Sequence, residues 1–482
     1  MKKYWKWGVG IVSAPFVIFA ILAILLYIPA VQNWAVRHVT AYASEKTGLA
    51  ISIQRVDLSF PLDLSVSGVK VIQPNDSLPQ VKDTVADVRK LVASVQLLPL
   101  LKSQVEVNRL DFSDVKMNTT NFIHEAHVKG TIGQLTLQSH GINLDRQTLR
   151  VNNALLAKAN INVELSDTVP EDTTKTANFW KIKVDKLDIL KSDIAVHMPG
   201  DTLQVKAHLG RVAARNGFFD LYKNDYTLAS LDWQDGGLEY DNNFEPRIKG
   251  LDYNHLSLAD VRLRVDSLHY CDPKLNLSLK DLSFKEKSGI IVSHFSSFIA
   301  LDSAKIILPN LSLTTPESSL TANVNMDFNA FDEKNPGKLH VKLDGAFGKQ
   351  DLIRFMDGMP TDFIRRWPNH SLTVKGVASG NMQRVDIAGL SIKLPSAFHA
   401  YAKGIAENLT DLKHLKAKID LEAKTYNLGF VTALLDKEIN IPSGIGIKGT
   451  LAANGERYQV YILAKEGVGS IKAKGDLDLP RM

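Results

Sequence analysis

The closest grouping of metal-type side chains is His124-Glu125-Ala126-His127. In a zinc-protease helix two histidines at i and i+4 share a face, with a glutamate between them as general base. Here the histidines stand at i and i+3, in strand-like sequence that offers no helical face. The single cysteine, Cys271, cannot form an internal disulfide, a Cys-rich zinc site or an iron–sulfur site. Gln234-Asp235-Gly236-Gly237 reads as a turn and opens no phosphate-binding helix. Neither G-x-S-x-G nor a P-loop occurs. The expectation is therefore a protein that is not an enzyme, with no catalytic residue, no metal site and no cofactor.

Charge narrows the partners. Lys+Arg number 57 against Asp+Glu 52, a net charge of +5 spread over 482 residues. A nucleic-acid binder concentrates its positive charge in a stripe, and this chain does not, so no nucleic-acid partner is expected. Hydrophobic residues make up 45% and charged residues 23%, the balance of a folded chain.

The elements that must position any function begin with a membrane anchor. Gly8 to Ile28 carries no charge, and a helix of that length rises about 30 Å, enough to cross a hydrocarbon core. Lys2, Lys3 and Lys6 precede it, which places the N-terminus in the cytoplasm and the bulk of the chain across the membrane. Residues 1–30 thus read as a cytoplasmic stub and transmembrane anchor, and 31–48 as an amphipathic helix, with Val31, Trp34, Ala35, Val39 and Tyr42 at helical spacing.

From Ile51 onward the period becomes two. Leu339-His340-Val341-Lys342-Leu343 and Leu415 to Ala423 are examples, with Gly, Asn, Asp and Pro in the breaks. Such alternation makes a sheet with one apolar and one wet face. Short helices are predicted at Asp351–Met356, Thr361–Trp367 and Asn427–Leu435. The polar stretch Ser166 to Asn178 is read as a loop separating a first β segment (49–165) from a second (179–482). At about 12 residues per strand and turn, roughly 35 strands could form, reaching about 170 Å if laid side by side at ~4.8 Å.

A loose repeat places apolar residues at offsets 0, 2, 5 and 7: Ile51/Ile53/Val56/Leu58, Val105/Val107/Leu110/Phe112 and Ile182/Val184/Leu187/Ile189. Each copy carries a base and an acid at the same places, Arg55 and Asp57, Arg109 and Asp111, Lys186 and Asp188. The change of parity between offsets 2 and 5 fits a bulge that bends a strand while its apolar residues stay on one face. Asp-Ser/Thr-apolar triplets, such as Asp83-Thr84-Val85 and Asp266-Ser267-Leu268, are similar to acceptor sites of O-glycosylation in Bacteroidetes-type envelopes.

The basic stub, span, short helix and Thr47-Gly48-Leu49-Ala50-Ile51-Ser52-Ile53-Gln54-Arg55-Val56-Asp57-Leu58-Ser59-Phe60 resemble the start of AsmA-like proteins, above all the TamB type. Val88 to Val115, with Leu97-Leu98-Pro99-Leu100-Leu101-Lys102 between two strand-like runs, strengthens the resemblance. TamB-type chains are longer, and this one ends in a strand-like run, so it is read either as an N-terminal portion of a longer chain, the favoured reading, or as a shorter AsmA-like paralogue. The resemblance implies a mainly β fold: one transmembrane helix, then an elongated, curved, antiparallel-type sheet forming a taco-like groove. It implies an inner-membrane protein, its bulk periplasmic, that conveys membrane phospholipids toward the outer membrane with their acyl chains inside the groove. The groove-facing candidates are Leu339, Val341, Leu343, Leu415, Ala417, Ile419, Leu421, Ile445, Ile447 and Leu451. Two other readings stand beside it. One is a scaffold that docks an outer-membrane barrel insertase of the TamA type, and the other is a passive tether of closed sandwiches whose interiors hold these same residues.

Overall fold

The computed structural model describes residues 49–59, 63–74, 82–95, 107–119, 126–143, 147–166, 179–330, 332, 335–355, 360–381, 383–408, 413–434, 443–455, 457–466 and 469–478, with 37, 40, 41, 44 and 45. The predicted span at Gly8–Ile28 lies outside the described residues, and among those no helix is long and apolar enough to cross a membrane. Of the amphipathic segment, residues 37, 40, 41, 44 and 45 are helical. The chain divides into two units, Met1–Tyr222 with Tyr240–Phe244, and Lys223–Glu239 with Glu245–Met482.

In the first unit the strands are β1 (Ala50–Ser59), β2 (Asp63–Pro74), β3 (Lys82–Val95), β4 (Val107–Asn118), β5 (Ala126–Asn143), β6 (Thr148–Leu165), β7 (Lys181–His197) and β8 (Leu203–Asp220). Each pairs with its chain neighbour. All the pairs are antiparallel except β6 and β7, which run parallel from Thr148↔Lys181 to Glu164↔His197. The sheet is thus of the antiparallel type expected, with this one parallel pair among the described strands. The predicted loop beyond Ser166 lies outside the described residues; β6 ends at Leu165 and β7 begins at Lys181, a sequence separation that suits the crossover a parallel pair needs.

The second unit continues in chain order with β9 (Asp225–Asn242), β10 (His255–Cys271), β11 (Lys274–Glu286), β12 (Ile291–Leu301), β13 (Lys305–Thr314), β14 (Ser319–Asp327) and β15 (Leu339–Phe347). Helices α1 (Lys349–Phe355) and α2 (Thr361–Arg366) follow, then β16 (Leu372–Gly380), β17 (Arg384–Leu394), β18 (Phe398–Glu407) and β19 (Lys416–Thr425). A 3₁₀ turn (Val431–Leu434) stands where the third helix is predicted, before β20 (Gly446–Asn454), β21 (Arg457–Glu466) and β22 (Gly469–Asp478). The fold is mainly β, with open sheets: among the described residues β1 pairs with β2 and β22 with β21, and no pairing closes a barrel.

The described strands number 22, not 35, and the spacing of apolar residues explains why. What reads as two short alternating runs is one strand with a bend in it. Seven non-glycine residues within strands have positive φ, Asp114, Lys158, Lys191, Asn216, Asp235, Asp260 and Asn310, and so does Gly68. Each occupies offset 4 of a 0-2-5-7 run that is apolar throughout in five cases, as Asp114 in Leu110/Phe112/Val115/Met117 and Asn310 in Ile306/Leu308/Leu311/Leu313, and that carries Ser192, Gly217 or Gly236 at offset 5 in the other three. One left-handed residue reverses the parity, so the apolar side chains on both sides of the bend share a face. Asn, Asp and Gly tolerate that conformation best, and they fill most of these places. Asp235-Gly236 is therefore a bend inside β9, not a turn between strands.

In the first unit the bends line up. Gly68 falls opposite Arg89, Arg89 opposite Asp114, Asp114 opposite Gly133 and Gly133 opposite Lys158, each flanked by paired residues on both sides. Lys191 continues the line on β7. The result is a crease across β2–β7. On its apolar side Val88, Val115, Ile132 and Ala159 form a buried cluster, with Val69, Leu91, Phe112, Leu135 and Leu156 packed around it. A bend also interrupts the backbone ladder, and side chains satisfy the freed groups. Fully buried Ser192 accepts from the Ala159 amide (3.1 Å) and donates to the Leu190 carbonyl (3.0 Å).

The three base-x-acid pairs form ion pairs along their own strands: Arg55–Asp57 at 2.9 Å, Arg109–Asp111 at 2.7 Å and Lys186–Asp188 at 3.0 Å. Arg215 on β8 joins the last at 2.8 Å. Burial pushes the Asp188 carboxyl up, but hydrogen bonds from Lys186 and Arg215 outweigh it and hold the group below the usual aspartate range.

Candidate functional site: an uncovered apolar face

In the second unit the candidate residues fall on one face. Register carries a row from Val324 on β14 through Val341, Ala378, Ile387, Gly404, Ile419 and Leu451 to Val460 on β21. A neighbouring row runs Ala322, Leu343, Gly376, Leu390, Ala402, Leu421, Gly449, Ile462. Leu339 and Ala417 share a third row, linked through Gly380, Val385 and Ala406, and Ile447 lies on a fourth, opposite Ala423. Leu415 and Ile445 stand one residue before β19 and β20 and keep the same parity. The structure thus brings all ten sequence-predicted positions onto one sheet face.

Large residues on this face sit beside small ones. Leu421 lies between Ala402 and Gly449, Leu343 between Ala322 and Gly376, and Ile419 between Gly404 and Leu451. Gly404 has φ +152, and a Cβ there would come within 2.1 Å of the Lys418 carbonyl oxygen, so no other residue fits without moving the neighbouring strand.

One rim of the face is covered. Helices α1 and α2 leave from the end of β15, and the 3₁₀ turn leaves from the end of β19, at the same end of the antiparallel strands. Phe363, Trp367 and Phe430 pack there with Leu394 and Ala397, both at 0% exposure. Aromatic edge-to-face contacts hold the cap, Trp367 and Phe430 having ring centroids 5.0 Å apart. Asp351 ties α1 back to the β13–β14 turn by accepting from Thr315 and Ser318 hydroxyls at 2.5 Å.

Away from the cap the face is open. Leu421 and Leu451 are each 39% exposed, and none of the ten candidates is buried. Residues facing a second sheet inside a closed sandwich would be dry. The reverse face is wet and charged, with Lys375–Asp344 at 2.8 Å and Lys448–Glu422 at 2.9 Å. The Asp344 hydrogen bond raises Lys375 above the ordinary lysine range.

Sequence reasoning missed the contribution of β14, β16, β17, β18 and β21 to this face. In β17 the signal was present, since Val385/Ile387/Leu390/Ile392 is another 0-2-5-7 run with a register shift between Ile387 and Leu390. It lacks the base-x-acid decoration that marks the three chosen copies. Sequence reasoning also left out the crease of the first unit, whose apolar residues are the more deeply buried ones.

Among the described residues no three metal-ligating side chains converge. His127 lies in β5, bonded to Asn118 (2.5 Å) and beside Glu164 (3.4 Å). Thr84 and Ser267, of the Asp-Ser/Thr-apolar triplets, lie within β3 and β10. Comparison with protein-family models, with curated proteins and with solved structures finds no match.

Proposed function

We propose that the protein carries phospholipid acyl chains on the apolar face of its second unit, as an inner-membrane-anchored bridge of the AsmA-like, TamB-like kind acting toward the outer membrane. The observation that carries this reading is the set of apolar rows crossing β14–β21, with Leu421 and Leu451 left uncovered in mid-face. Each CH₂ removed from water contributes about 0.8 kcal/mol, so a bare acyl chain does not leave a bilayer unaided. A continuous apolar surface lowers that barrier without requiring one tight site. The charged reverse face keeps the sheet solvated, and no catalytic residue is needed.

The test is native mass spectrometry with lipid extraction on the chain purified from membranes, beside Ile419→Arg and Leu343→Arg. Several phospholipids per wild-type chain, lost in both variants while folding is retained, is the expected result. Wild-type protein free of lipid would remove the proposal.

A second reading has its own observation. Ile471 on β22 is 70% exposed. An assembly scaffold could offer such an apolar side chain to a client strand or to a TamA-type barrel insertase. Lys472 and Lys474 on the same strand are the kind of residue that discourages indiscriminate pairing. Cross-linking from Ile471 to an outer-membrane barrel protein would favour this reading.

A further inference from the structure

The reverse, polar face of the second unit holds a depression of about 280 Å³ where β18, β19, β20 and β21 meet. Its lining includes His399, Lys424, Gly446 and Lys465, with the Lys448–Glu422 ion pair beside them. Register explains the grouping: His399 lies opposite Lys424, Lys424 opposite Gly446, and Gly446 opposite Lys465. Lys424 and Lys465 therefore flank a glycine, two strand spacings or about 9.6 Å apart.

Two features combine at this place. First, Lys448 is neutralised by Glu422 at 2.9 Å, Lys375 by Asp344 and Arg384 by Glu407, whereas Lys424 and Lys465 have no carboxylate partner among the described residues. Lys424 is instead placed over the Tyr426 ring at 5.5 Å. Second, Gly446 is not demanded by the backbone. A Cβ there would meet only the Lys465 carbonyl oxygen, at 3.8 Å, and its φ is not in the left-handed range. Most side chains would fit, and any of them would fill the depression. The missing side chain leaves open floor between Lys424 and Lys465, with the His399 ring at the side.

We infer that this depression is a binding site for a phosphate-bearing anion, with Lys424 and Lys465 as the charged clamp and Gly446 as the floor. Two ammonium groups can donate to one phosphate from opposite sides. Lys448, held by Glu422, contributes field more than contact. The site lies on the face opposite the apolar rows and does not rest on the lipid-carrying reading. Its phosphate has two sources, a headgroup at a bilayer surface or a soluble phosphate ester.

The test uses the full chain in detergent, titrated with glycerol 3-phosphate by ³¹P NMR, and the full chain floated with phosphatidylglycerol or phosphatidylcholine vesicles. The variants are Gly446→Val, Lys424→Gln with Lys465→Gln, and a charge-matched control, Lys342→Gln with Lys403→Gln. Saturable binding of glycerol 3-phosphate by wild type and control, weakened at least tenfold in the Gly446 and Lys424/Lys465 variants, is expected for a soluble ester. The same ranking seen with phosphatidylglycerol vesicles alone assigns the site to a headgroup. Equal loss in the control would reduce the effect to bulk charge and overturn the site. So would a Gly446→Val chain that binds as wild type does.

Discussion

The creased strands β2–β7 and the straighter strands β18–β22 are written with the same alternation of apolar and polar residues, yet they present different surfaces. Along the crease, left-handed residues at Gly68, Asp114, Lys158 and Lys191 fold the sheet toward its own apolar side, and Val88, Val115, Ile132 and Ala159 become dry. Along β18–β22 the register runs unbroken through each pair and the apolar residues stay half open. The period-two pattern sets which residues share a face. The parity break inside it lets one stretch of such a face close on itself, as the capping helices close another. Stability and ligand capacity are thus divided between regions: the crease supplies burial, and the straight strands supply exposed apolar area.

Truncations should separate the regions most widely. Ile132→Ala leaves a cavity in the crease cluster and should cost about 3 kcal/mol. Leu421→Ala removes a side chain with water already beside it and should cost under ~1 kcal/mol. Urea denaturation of both variants checks the ordering, and equal losses would break the comparison. Ser192→Ala comes next. It leaves the buried Ala159 amide without its acceptor, at about 1–3 kcal/mol, and that amide should exchange with solvent faster than its neighbours.

A bend residue can be tested alone. Asn216 is exposed, in the left-handed region, at offset 4 of Val212/Ala214/Gly217/Phe219. Asn216→Gly should be nearly neutral, and Asn216→Val should cost about 1–2 kcal/mol, since a β-branched residue resists positive φ. Equal thermal midpoints for the two would show that the bend does not need that conformation.

The smallest effect is electrostatic. The Asp188 carboxyl is held below its ordinary value by Lys186 and Arg215, so its folded pKa lies under its unfolded one. The stability it supplies is present above the unfolded value, near 4, and is lost as pH falls through the lowered folded value. Asp188→Asn should therefore destabilise the protein at neutral pH and converge with wild type in acid. A pH-independent difference between the two would contradict this assignment.

Much of this was legible in the chain. Alternation placed Leu343, Ile419 and Leu451 on one face, and the base-x-acid decoration marked pairs that do meet, as at Arg109 and Asp111. The parity change at offsets 2 to 5 announced a bend. Three things were not legible. Which strand of a pair carries the left-handed residue depends on both partners: the bend at Gln54 is supplied by Gly68 on β2, and the one at Asp185 by Asn216 on β8. The parallel pairing of β6 with β7 is set by tertiary contacts that neither strand's pattern encodes. Whether an apolar face is closed depends on what packs over it, so Leu394 and Leu421, alike in sequence context, end at 0% and 39% exposure.

The most direct test of the central claim compares two adjacent residues on opposite faces of β19. A photo-cross-linking side chain is placed at Leu421, on the open apolar face, or at Glu422, on the charged reverse face, in cells with radiolabelled phospholipid. The account predicts lipid adducts at position 421 and not at 422. Equal labelling at the two positions, or none at 421, would contradict it.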